Sequence, residues 1–148
     1  MSLKSPNLLV IFAVFSAVPA VAQSPAAAEF ESGAFAAAQA NGQRILVEAY
    51  APWCITCRLQ GPAISKALQH PAATDIIVFR LTEANRKSDW RHLNIQRYGT
   101  LVAFSGYRET GRGVGAVSHA AVAEIVNSSR RESTSVEARN VHANNQKE

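Results

Sequence analysis

The chain has 148 residues, 47% of them apolar and 18% charged, with 15 Lys+Arg against 11 Asp+Glu and two cysteines. That is enough for one ordinary domain with its own core, and it excludes a wholly disordered or collagen-like chain. A single cysteine pair excludes a disulfide-dense mini-protein and a four-thiolate zinc site within one chain. Arginines spread along the chain with no concentrated stripe, and without interleaved aromatics, argue against nucleic acid as a partner.

Residues 1–22 read as a secretory signal peptide. Lys4 gives a weakly positive start, Leu8–Val18 is an apolar run, Pro19 breaks it, and Ala20-Val21-Ala22 is a small-x-small cleavage pattern. Even Leu8–Ala22 falls short of the roughly 18 to 20 residues a spanning helix needs, so cleavage is expected, with no stable membrane insertion afterwards. The expected localisation is periplasmic or secreted.

Residues 23–127 are expected to form the domain. Phe30, Phe35 and Ala38 suggest a first helix over Glu29–Asn41, stopped at Gly42. Arg44–Ala51 is a buried-strand pattern interrupted by one charge, Glu48, and closed by Pro52-Trp53. Cys54–Gln69 carries a helical pattern through Leu59, Ile64 and Leu68, with Pro62 expected to kink it. Asp75–Leu81 predicts a second buried strand, and Asn85–Arg97 a polar helical stretch holding Trp90, Leu93 and Ile95. Gly99–Phe104 predicts a third strand, and Arg112–Ala116 a fourth after a turn region at Gly106–Gly111. Ser118 should cap a closing helix through about Asn127. Alternating strands and helices followed by a hairpin and a helix imply an α/β fold with a mixed sheet. Residues 128–148 are polar and aperiodic, and a disordered tail is expected there.

The chemistry concentrates between Glu48 and Pro62. Cys54 and Cys57, at i and i+3 where a strand enters a helix, put one sulfur at the helix N-terminus and the other a turn inside. The orphan amides and the positive end of the helix dipole favour a thiolate on Cys54, while Cys57, shielded beneath it, should ionise less readily. Cys54 is therefore the expected nucleophile on a substrate disulfide and Cys57 the resolving thiol; run backwards, the pair oxidises a dithiol. A stabilising staple is the bland alternative, but so small a ring gains little chain entropy. The two cysteines could also hold zinc with two of His70, His92, His119 and His142, although these histidines lack the usual H-x(3–5)-H spacing.

The run Ile45–Pro62 resembles the active-site region of the thioredoxin-like family: a hydrophobic strand with a buried acid, W-C-x-x-C, a basic residue after the second cysteine, and a proline five residues beyond it. Thr100–Phe104 resembles that family's third core strand, and Val114-Gly115-Ala116 with Ser118 its closing strand and helix start. The resemblance implies a thioredoxin-like fold, a central mixed β-sheet flanked by helices. Together with the leader, it also implies an exported thiol–disulfide oxidoreductase that reduces or exchanges protein disulfides through Cys54 and Cys57, with no cofactor. It makes Glu48 the proton relay for the inner thiol, with an ion pair to Arg80 as the plain alternative. Trp53 would pack beside Cys54 and limit water access, or simply fill core, and Trp53, Tyr98, Gly99 and Thr100 would meet the substrate chain. Protein disulfide or dithiol substrates are the implied partners, with a membrane thiol relay as electron donor.

Gly99 departs from the family, which has a cis-proline there. A cis bond before glycine costs about 2.5–4 kcal/mol, so Tyr98–Gly99 is expected to be trans or rearranged. This departure leaves open a rival reading, a domain of the same fold that holds a metal or iron–sulfur cluster on the two cysteines.

Overall fold

In the computed structural model, residues 27–85 and 88–130 are described; the signal-peptide assignment and nearly all of the expected tail lie outside them. The elements in chain order are β1 (Ala28–Glu29), α1 (Ser32–Ala40), β2 (Arg44–Ala49), α2 (Ile55–Leu68), β3 (Ile77–Leu81), α3 (Asp89–His92), β4 (Thr100–Ser105), β5 (Arg108–Val114) and α4 (119–130). The strands form one mixed sheet in the order β1-β3-β2-β4-β5. β3 runs parallel to β1 and β2, while β4 runs antiparallel to β2 and β5.

β2 lies at the centre and is buried along its whole length. Side chains alternate across a strand, so one polypeptide segment feeds two cores. Ile45, Val47 and Ala49 join Phe30, Phe35, Phe79, Trp90 and Phe104 on one side. Leu46 faces the other side, with Ala63, Ile64, Ala67 and Leu68 of α2 and Val122, Ile125 and Val126 of α4. Glu48, two residues after Leu46, shares the face that α2 covers.

Three segments differ from expectation. The first helix begins at Ser32 because Ala28–Glu29 adds to the sheet edge against Phe79 and Arg80, and the Phe30 amide donates to the Arg80 carbonyl at 2.9 Å. The expected helix over Asn85–Arg97 shrinks to a 3-10 turn at Glu83–Asn85 and the single turn α3. Its exit is held by Arg112, whose guanidinium donates to the carbonyls of Leu93 (2.9 Å) and Asn94 (3.1 Å), groups a longer helix would have bonded internally. The hairpin turn is only Gly106-Tyr107, so β5 starts at Arg108 rather than Arg112, and an irregularity at Ala103/Phe104 absorbs the offset.

Two terminal expectations resolve more simply. Ser118 caps α4, its hydroxyl accepting the Ala121 amide at 3.2 Å. α4 continues past Asn127 through 130 because Ser128 and Ser129 are buried and Arg44 Nε donates to Ser129 Oγ at 3.1 Å.

Candidate active site

β2 carries the chain to the surface, and Tyr50–Trp53 turns it into α2. Cys54 is the residue that caps this helix: its backbone is extended and its Sγ accepts the Cys57 amide at 3.1 Å. It is joined to Cys57 as a disulfide, with Cα atoms 5.3 Å apart. Both cysteines are buried, Cys54 at 8% exposure and Cys57 at 1%, so the asymmetry expected from the spacing is small in exposure and is marked instead by the capping role of Cys54. Beneath the pair, Cys57 Sγ lies 3.6 Å from the Ala49 carbonyl oxygen. That oxygen also accepts the Gly99 amide at 2.8 Å.

Glu48 is 2% exposed and sits directly across from Arg80 in the β2–β3 register. Arg80 Nη2 and Nε approach Glu48 Oε2 at 3.0 and 3.1 Å, so the ion pair weighed from sequence exists. Burial pushes the Glu48 carboxyl above its ordinary value, and the charge and hydrogen bond of Arg80 pull it back only in part. The Arg80 guanidinium also stacks 4.1 Å over the Tyr50 ring, which fixes the cation at the head of the sheet.

Trp53 does not fill core. It is 70% exposed, and its ring meets Tyr98 edge-on at 4.8 Å; Tyr98 in turn meets Trp90 at 4.8 Å. The Tyr98 hydroxyl donates to the Glu83 carboxylate. Ile55 and Leu59 are exposed as well; four residues apart on one helix face, they form an apolar rim with Trp53 beside the disulfide.

Gly99 packs against the residue between the cysteines. Among the described residues no peptide bond is cis, and Gly99 takes φ +74°. A Cβ there would lie 2.8 Å from Thr56 Cγ2, so the position admits glycine and little else. Thr100 starts β4, is buried, and donates its hydroxyl to the Arg97 carbonyl at 2.8 Å. Its side chain therefore closes the loop from within.

Sequence reasoning passed over Gln60, whose Nε2 donates to the Gly99 carbonyl at 3.0 Å from a wholly buried position. The available signal was a lone amide on the apolar face of α2, one turn beyond Cys57. Among the described residues, no three His, Cys, Asp or Glu side chains are grouped as metal ligands.

Comparison with known proteins places this arrangement. The family model described as Thioredoxin matches residues 26–128. Among solved structures, Trxlp from Edwardsiella tarda superposes with a TM-score of 0.64 at 27% identity, covering 68% of this chain and 98% of that one. A mutant thioredoxin from Halobacterium salinarum gives 0.58 at 18% identity, covering 71% and 89%. Oxidised mitochondrial thioredoxin 3 from Saccharomyces cerevisiae gives 0.58 at 16%, covering 68% and 93%. The last two show a shared fold.

Proposed function

Because this chain belongs to the thioredoxin family and carries a C-x-x-C disulfide at the start of α2, chemistry that is broadly thiol–disulfide oxidoreductase, we propose that it is an exported reductase or exchanger of protein disulfides. One observation carries the reading: the outer sulfur caps a helix and accepts an amide from inside it, while the inner sulfur is closed off.

The reaction begins with the reduced pair. The Cys54 thiolate, favoured by the Cys57 amide and the helix N-terminus, attacks one sulfur of a substrate disulfide. A mixed disulfide forms and the other substrate sulfur leaves as a thiolate, taking a proton from solvent. Cys57 then loses its proton, attacks Cys54 Sγ and displaces the second substrate sulfur. Two electrons have passed to the substrate, and the Cys54–Cys57 disulfide is restored. Glu48 is the proton acceptor for Cys57, because burial raises the proton affinity of its carboxylate, which lies on the face of the sheet beneath α2. The rim of Trp53, Ile55 and Leu59 suits a protein partner better than a small hydrophilic thiol.

The leader Met1–Ala22 would deliver the protein to a periplasmic or extracellular space, where an external thiol relay must regenerate the dithiol. Insulin reduction by the dithiol form tests the chemistry. Wild type should accelerate it, Cys54→Ser should abolish it, and Cys57→Ser should accumulate mixed disulfides. Exchange rates unchanged in both variants would refute the assignment. Export is tested separately, by finding the mature chain outside the cytoplasm with Gln23 at its N-terminus.

A further inference from the structure

Gln60 is a buried polar group that the exchange steps above leave unused. It is 0% exposed on a face of α2 otherwise made of Cys57, Ala63, Ile64, Ala67 and Leu68. A carboxamide is retained in such a place when its donors and its acceptor have work. Nε2 has it, in the Gly99 carbonyl at 3.0 Å, an oxygen that also takes the Gly115 amide at 2.9 Å. Oε1 has none, and among the described residues it is the single buried side-chain polar atom without a partner.

Exchanging the two ends of the amide would aim oxygen at oxygen, so the carbonyl of Gly99 fixes which end faces it. The location of Oε1 follows from Gly99: a Cβ built there would lie 3.5 Å from Oε1 and 2.8 Å from Thr56 Cγ2. The orphan acceptor therefore lies beside Gly99, on the side where Thr56, the residue before Cys57, also packs. Cys57 and Gln60, three apart, share one helix face.

We propose that Gln60 is a positioning residue for the redox pair. Nε2 clamps the Gly99 segment in both redox states, and Oε1 accepts a hydrogen bond from the Cys57 thiol of the reduced state, directly or through one water. This rests on the thiol–disulfide reading above. The disulfide carries no S–H group. When a dithiol donor reduces it, the donor's two thiols become a disulfide, two electrons and two protons are transferred, the Cys54–Cys57 bond breaks, and each cysteine gains a thiol. The Cys57 thiol then needs an acceptor where bulk water does not reach. The Ala49 carbonyl, 3.6 Å from Cys57 Sγ, already accepts the Gly99 amide and has one lone pair left, and Glu48, bonded to Arg80, takes the proton only at the ionisation step. Oε1 is uncommitted.

The test is the equilibrium constant of the Cys54/Cys57 couple against glutathione, in wild type and Gln60→Leu. Loss of the Nε2 clamp affects both redox states and cancels, so the shift reports Oε1. Gln60→Leu should hold the disulfide about three- to tenfold more strongly, the worth of one buried hydrogen bond. A variant with lowered stability and an unchanged equilibrium constant would overturn the proposal. If the leucine variant does not fold, the Gln60 Cδ carbon resonance of wild type decides: it should move between the oxidised and reduced proteins, and an identical position in both would overturn the proposal. Neither readout involves a protein substrate. Inactivity toward insulin would thus sink the proposed function while leaving these results interpretable.

Discussion

Removing the charge of Glu48 while keeping its shape separates the two forces on that carboxyl. Burial raises it more than Arg80 lowers it, so the folded chain binds this proton more tightly than the unfolded chain. Its contribution to stability is complete below the ordinary glutamate value and is lost as pH rises through the folded one. Glu48→Gln should therefore gain stability relative to wild type as pH rises, with the gap between their denaturation midpoints wider at neutral than at mildly acid pH. The same variant should slow resolution of the mixed disulfide by roughly tenfold or more, since an amide cannot take the Cys57 proton. A stability gap that narrows with rising pH would show that the ion pair outweighs burial. Gly99 is constrained in another way. Gly99→Ala forces a side chain into φ +74° and against Thr56, and should cost about 2 kcal/mol or more. Thr56→Ser removes the nearest methyl and should recover part of that loss; denaturant midpoints of the double-mutant cycle would report no coupling if the contact were unimportant.

Among the elements, β2 ties the site to the rest of the fold. Its first residue, Arg44, is 7% exposed and donates to Asp75 Oδ1 at 2.6 Å, the Ala72 carbonyl at 2.8 Å and Ser129 Oγ at 3.1 Å. The start of the central strand is thus bonded both to the segment leading into β3 and to the last turn of α4. Arg44→Ala takes the donor from the buried Ser129 hydroxyl, the part-buried Ala72 carbonyl and the largely exposed Asp75 carboxylate, and should destabilise the protein by roughly 2 kcal/mol. Melting should reveal this, with the Cys54/Cys57 equilibrium constant barely moved; an unaltered midpoint would mean that solvent replaces these bonds. β2, α2 and β4 could be read from the chain because each has strong local periodicity. β1 could not, since two residues of an alanine-rich segment carry no strand signal and pair with a strand some fifty residues away. α3 was overestimated because Trp90, Leu93 and Ile95 are buried as the spacing suggests, while the backbone there is terminated by Arg112 from a distant strand.

For the molecule as a whole, the sheet order does the assembling. Placing β2 between β3 and β4 sets Glu48 beside Arg80 and hands the end of β2 to α2. It also brings the segment before β4 under the disulfide, where the Gly99 amide meets the Ala49 carbonyl. The cysteine pair, the buried acid and the alternation of strands and helices were visible in sequence because they are local patterns. The exposure of Trp53, the inward use of the Thr100 hydroxyl and the Gln60–Gly99 bond were not, since each depends on which distant segment packs against it.

Peptide-resolved alkylation of the freshly reduced, folded protein measures the inequality of the two sulfurs most directly. Cys54 should be modified first, by a wide margin, with Cys57 protected until the chain is unfolded. Equal rates, or Cys57 reacting first, would contradict a mechanism in which the helix-capping sulfur opens the reaction and the enclosed one completes it.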